Sequence, residues 1–218
     1  MGKNKLFRFS ENIKSNYIIE EGKSFYTTCK GAWNEHYFHN NNPIIIELGC
    51  GNGEYTCGLA GMFADANYVG VDIKGARLWR GSKSAEALRL LNVAFLRTRI
   101  DTIDQYFAPH EVSEAWITFP DPQPKDRNEK HRLTHPRFLK AYKNILKPHA
   151  HIHLKTDSEF LFQYTLQTIE NEHIKPDICT HDLYTSEWQS LHHGIMTKYE
   201  KMFLAEGKKI HYLRFQLV

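Results

Sequence analysis

Cysteine is scarce: Cys29, Cys50, Cys57 and Cys179 are the four in 218 residues. They are scattered and form no C-x-x-C pair, which excludes a disulfide scaffold. No apolar run approaches the roughly 20 residues that a membrane-spanning helix needs. The first ten residues carry Lys3, Lys5 and Arg8 but no apolar stretch, unlike a secretory signal. Repeats, low-complexity tracts and interdomain linkers are missing too. Neither sign of charge dominates, with 28 Lys+Arg against 25 Asp+Glu and a formal net charge of +3. Hydrophobic residues nevertheless make up 41%, enough to bury a core, so whole-chain disorder is excluded. The expectation is a soluble, cytoplasmic protein without membrane contact.

The modest total hides an uneven distribution. Lys125 to Lys147 holds eight basic residues and only two acids, Asp126 and Glu129, a local balance of +6. The rest of the chain is then −3. Such a field attracts phosphates, although a solvated helix face is the commoner meaning of a charge run.

Patterning predicts a polar, aromatic-rich arm over residues 1–40 and one α/β domain over 41–218. Apolar, β-branched runs at Ile44–Leu48, Tyr68–Asp72, Val93–Leu96 and Ala115–Phe119 read as buried strands. Further strands are expected at His151–Thr156, Ile174–His181 and Ile210–Leu217. Helices are expected over Glu54–Ala64, Ala76–Leu91, Leu133–Leu146, Glu159–Glu170 and Ile195–Ala205. Strands alternating with helices predict a mostly parallel seven-stranded sheet covered on both faces, with an antiparallel addition at the C-terminal end. His149, His151 and His153 alternate along one strand, but without nearby cysteine they are not read as a metal site.

Glu47-Leu48-Gly49-Cys50-Gly51-Asn52-Gly53 joins a strand to a helix. Alternate glycines permit positive φ and close approach of a ligand to the backbone. Glu54 occupies the position of the last glycine in the dinucleotide fingerprint G-x-G-x-x-G. Carboxylates flanking the turn suit a ligand with positive groups, an ammonium and a sulfonium, better than a pyrophosphate. Asp72 ends the second strand, 19 residues after Gly53, where an acid accepts from ribose hydroxyls. The combination favours S-adenosylmethionine over NAD, against the plainer reading of a glycine-rich turn. With it the chain resembles the class I, Rossmann-like methyltransferases.

Trp116-Ile117-Thr118-Phe119-Pro120-Asp121-Pro122-Gln123-Pro124-Lys125 is the most specific string. Three prolines stiffen the loop that carries Asp121 beyond a strand end, the edge where open α/β sheets bind ligands. The string resembles the signature of the tRNA (guanine-N7-)-methyltransferase family, usually written with Trp where Gln123 stands. Lys155-Thr156-Asp157 and Thr197-Lys198-Tyr199-Glu200 extend the likeness from Glu47 to the C-terminus. The resemblance implies methylation of N7 of a tRNA variable-loop guanine, position 46, by a monomer or homodimer without metal. By position, it implies cofactor binding at Glu47, Gly49, Gly51, Gly53, Asp72, Arg99 and Asp121. It implies substrate binding at Lys125, Asp157, Thr197, Lys198, Tyr199 and Glu200. Arg99 departs from the pattern: a guanidinium cannot accept a hydrogen bond from the adenine amine. Asp121 is read as the catalytic residue, positioning guanine and stabilising its forming cation. Two readings compete: a class I methyltransferase for another RNA or a small molecule, and a noncatalytic tRNA-binding subunit.

Overall fold

The computed structural model describes residues 3–217, with side chains from Leu6 onward; Met1, Gly2 and Val218, the ends of the expected arm and domain, lie outside them. The isoleucine run after Pro43 forms the central strand β2 (Ile44–Leu48) of a single eight-stranded sheet. Its branched side chains pack on both faces, as a strand buried under helices requires. To one side lie β3 (Asn67–Val71), β4 (Val93–Leu96) and the short β1 (Ile18–Ile19). On the other side follow β5 (Val112–Thr118), β6 (Leu146–Thr156), β8 (His211–Gln216) and the outer β7 (Ile178–Thr180). Strands β1 to β6 are parallel; β8 runs antiparallel between β6 and β7. The chain leaves β2 toward β3 and later returns toward β5, so the switch point of the sheet lies at the C-terminal end of β2.

Helices α1 (Lys3–Lys14), α3 (Glu54–Met62), α4 (Gly75–Ala87), α5 (Pro136–Ile145), α6 (Glu159–Asn171) and α7 (Lys198–Ala205) surround the sheet. A one-turn helix, α2 (Ser24–Thr28), follows β1. None of them is long and apolar enough to cross a membrane. Two buried clusters, one centred on Ile46, Val69 and Ile117 and one on Tyr55, Phe95 and Trp116, form the core.

The α/β alternation matches expectation, and the differences have local causes. The strand beyond the expected seven, β1, is a two-residue pair, too short for any periodicity to announce. Strand β7 is shorter than expected because Pro176 cannot donate to a ladder. Helix α5 starts at Pro136, not Leu133: proline suits the first helical turn, and the His135 side chain caps it by accepting from Arg137 N. Pro148 bars helix from Lys147 but accepts extended backbone, so β6 begins directly after α5.

Residues before Pro43 pack closely on the rest. Trp33 is fully buried, stacks on Phe107 at 5.2 Å and 12°, and donates its indole N–H to the Tyr106 carbonyl. Asn12 donates to the Gly75 carbonyl, and Glu20 pairs with Arg97 at 2.9 Å beside the ligand edge of the sheet. Trp33→Ala is therefore expected to destabilise the whole chain by about 3–5 kcal/mol. Urea denaturation checks this: an unchanged midpoint would make this segment an appendage.

Candidate active site

The parallel register brings the ends of β2, β3, β5 and β6 to one edge. Gly49 and Cys50 donate their N–H groups to the Val71 carbonyl, folding the glycine turn back over β3. Gly49, Gly51 and Gly53 all have positive φ, at 81°, 56° and 71°. At Gly53 a side chain would also overlap the Phe95 ring, whereas Gly51 faces open space. A ligand can therefore reach the turn's backbone at Gly51 while Gly53 seals its lower side.

Glu47 lies beneath this turn, 3% exposed. One carboxylate oxygen accepts from the Thr56 N–H and hydroxyl, the other from the Thr118 hydroxyl. The side chain thus ties β2 to α3 and β5. Burial pushes its carboxyl up to about 7, opposed by the threonine bonds and the charge of Lys155. Asp72 accepts from Gly51 N at 3.1 Å and Lys74 N at 2.8 Å, which fixes its carboxylate at the turn's rim.

Asp121 is exposed on the loop after β5. Its carboxylate accepts from Gln123 N at 3.1 Å. Phe119 and Gln123, on either side, sit in the left-handed region at φ 48° and 47°. Strain at two non-glycine residues persists only where the surroundings over-determine it. They do: Phe119 N donates to the Lys155 carbonyl, and Arg132 Nε donates to the Gln123 carbonyl at 3.2 Å. Arg132 is only 4% exposed, its guanidinium between the Phe160 and Tyr164 rings at 4.7 and 4.3 Å. It belongs to the loop's support and not to the exposed basic run around it. Phe160 and Tyr164 stand four apart on an expected helix, a spacing that was the available signal for such a slot.

Lys155 was met only as part of a motif, yet its ammonium is fully enclosed. It pairs with the equally buried Glu200 at 2.8 Å and lies over the Tyr55 ring at 4.8 Å. Glu200 also accepts from the Tyr184 hydroxyl at 2.9 Å and completes a capping box with Thr197 at the start of α7. Glu200 and Thr197, expected at the substrate, therefore stand behind the surface. Lys198 is exposed, and its N–H donates to Glu54 at 2.7 Å, which locks α7 to α3. Tyr199 is exposed beside Phe203. Asp157 pairs with Lys208 at 3.3 Å, and Lys125 is exposed at the end of the proline loop. Arg99 points outward in a two-point pair with Asp101, at 2.9 and 2.5 Å. Each Asp101 oxygen thus accepts one bond from Arg99 and keeps lone pairs for another donor.

A family model described as "Putative methyltransferase" matches residues 41–213. The tRNA (guanine-N(7)-)-methyltransferase of Christiangramia forsetii is 49% identical over 99% of this chain and 98% of that one. Its counterpart in Cytophaga hutchinsonii is 43% identical over 100% and 99%. The chain belongs to the tRNA (guanine-N(7)-)-methyltransferase family. In structure it is similar to the 16S rRNA methyltransferase KamB, with a TM-score of 0.65 at 13% identity over 85% of this chain and 93% of that one. That likeness shows the Rossmann-like methyltransferase fold, and the glycine turn occupies the switch point expected of it.

For this methyltransferase the Glu47 environment has a sign that can be tested. The folded chain holds a proton between pH 4.5 and about 7 that the unfolded chain has released. The associated stability is complete below pH 4.5 and lost as pH rises through 7, about 3 kcal/mol in all. Glu47→Gln is expected to lack this slope. Urea denaturation from pH 4.5 to 8 checks it, and parallel curves for the two proteins would refute it.

Proposed function

We propose that this enzyme transfers a methyl group from S-adenosylmethionine to N7 of a guanine in tRNA, the variable-loop guanine at position 46. The observation that carries the reading is an exposed carboxylate, Asp121, braced at the ligand edge beside the glycine turn and followed by a basic surface. Relatives named for this activity match essentially the whole chain at 43–49% identity. The reaction places the enzyme in the cytoplasm with its tRNA.

The residues present fit the cofactor. Asp72, held by two backbone N–H groups, keeps lone pairs for ribose hydroxyls. The open backbone at Gly51 admits the ligand, and an ammonium arriving near Glu47 favours its ionised form. When bound, the cofactor supplies an electrophilic methyl, which N7 takes with its in-plane lone pair while the C–S electrons return to sulfur. N7 carries no proton, so no residue serves as a general base. The enzyme's task is alignment and compensation of the positive charge arriving on the purine. Asp121 supplies both, accepting from the guanine N1–H and amine, a pattern that adenine lacks. Lys125 and the exposed cations after it engage phosphates and fix register without reading sequence.

Asp121→Asn keeps an acceptor but loses the charge, so turnover is expected to fall by about 10²–10³. With cofactor saturating, raising pH should not restore it, and the parent should show no limb from a general base. Single-turnover rates on tRNA across pH check this; parental turnover in the variant would leave Asp121 a turn residue.

Arg132 and Lys130 separate support from contact. Arg132→Ala, which frees the Gln123 carbonyl, is expected to lower kcat by about 10–10²-fold with the salt dependence of tRNA binding intact. Lys130→Ala should instead weaken binding and flatten the salt slope by about one unit. A flattened slope in Arg132→Ala would return that residue to the phosphate surface.

A further inference from the structure

The alternating histidines do not converge on a shared centre. His151 faces Asp177 at 3.2 Å, and His153 bonds the Tyr212 hydroxyl at 2.7 Å while stacking on Trp116. A different set does converge. Glu159 opens α6, His181 follows β7 and His211 opens β8. His211 Nε2 lies 3.1 Å from one Glu159 oxygen, and His181 Nδ1 lies 3.6 Å from the other. Ligand atoms from all three residues lie within 4.8 Å of one another.

We propose that Glu159, His181 and His211 bind one divalent transition-metal ion, with zinc the ion best matched to the donors. Two imidazole nitrogens and a carboxylate oxygen are zinc's ordinary ligands, at bond lengths of about 2.0–2.2 Å. Around such an ion neighbouring ligand atoms stand roughly 3.3–3.6 Å apart; the two rings approach different oxygens of the one carboxylate, at 3.1 and 3.6 Å, distances of that order. The set is also held in place before any ion arrives. Both rings rest on the buried Phe162 ring at 5.0 Å, His211 face to face and His181 edge-on. Gln163 donates to Glu159 Oε1 at 2.7 Å, orienting the carboxylate as an outer-shell partner does. Glu159 and His181 are exposed, so an ion has an entry path. Bound there, it cross-links α6, the segment after β7 and β8, and leaves a fourth position open.

The test is titration of the full-length, untagged chain in metal-free buffer with zinc by calorimetry and with cobalt by visible absorption. One ion per chain is expected, with a tetrahedral cobalt spectrum. His181→Ala and Glu159→Gln each remove a ligand at an exposed position, so the fold tolerates them. Each should weaken binding by more than the about 10–100-fold that outer-shell partners are worth. His149→Ala, an exposed histidine elsewhere, should bind as the parent does. Absence of a stoichiometric ion in the parent, or parental affinity in both ligand variants, overturns the proposal and leaves a histidine–carboxylate cluster only.

Discussion

An ammonium with no access to water, that of Lys155, sets the terms for the ligand edge. Buried alone, it would carry a desolvation penalty of several kcal/mol. Its compensation comes from Glu200, 44 residues from the end of β6 by chain and in contact only through the fold. The pairing obliges α7 to sit against β6, and the Glu54 bond to Lys198 N ties the same helix to the glycine turn's own helix. Glu47, beneath the turn, joins β2, α3 and β5. Two buried polar centres, Glu47 with its threonines and Lys155 with Glu200, thus tie the strands and helices beneath the ligand edge together, which rigidifies what stands on them.

Rigidity is what the proposed chemistry asks for. A nucleophile without a proton to lose gains nothing from a base and much from alignment. Asp121 lies on a loop whose neighbours Phe119 and Gln123 occupy unfavourable backbone conformations. The loop is pinned from below by the Lys155 carbonyl and from the side by Arg132. In the proposed reaction, strain at a loop tip over a braced floor is what keeps this carboxylate aimed where charge develops.

Several elements were readable because their signals are local. The isoleucine run between Pro43 and Gly49 is a buried strand by composition, and positive φ at alternate glycines follows from the residue type. The proline-rich string around Asp121 announced a stiff loop beyond a strand. Arg132 shows the opposite case. In sequence it is one cation among eight; in space it is enclosed by Phe160 and Tyr164, some 30 residues later. The resemblance implied substrate binding at Glu200 and Thr197, and in space they form a buried counter-ion and a helix cap. The two-residue β1 gave no periodicity, since a pair cannot alternate.

By itself the sequence determined the alternation of strands and helices, the glycine turn, the proline-stiffened loop of Asp121 and the family. Each of these follows from backbone propensity or from contiguous residues. Only the tertiary structure decided which charges face water and which face one another. Desolvation and Coulomb attraction depend on distance through space. For Lys155 and Glu200, Arg132 and Gln123, or Glu159, His181 and His211, that distance bears no relation to separation along the chain.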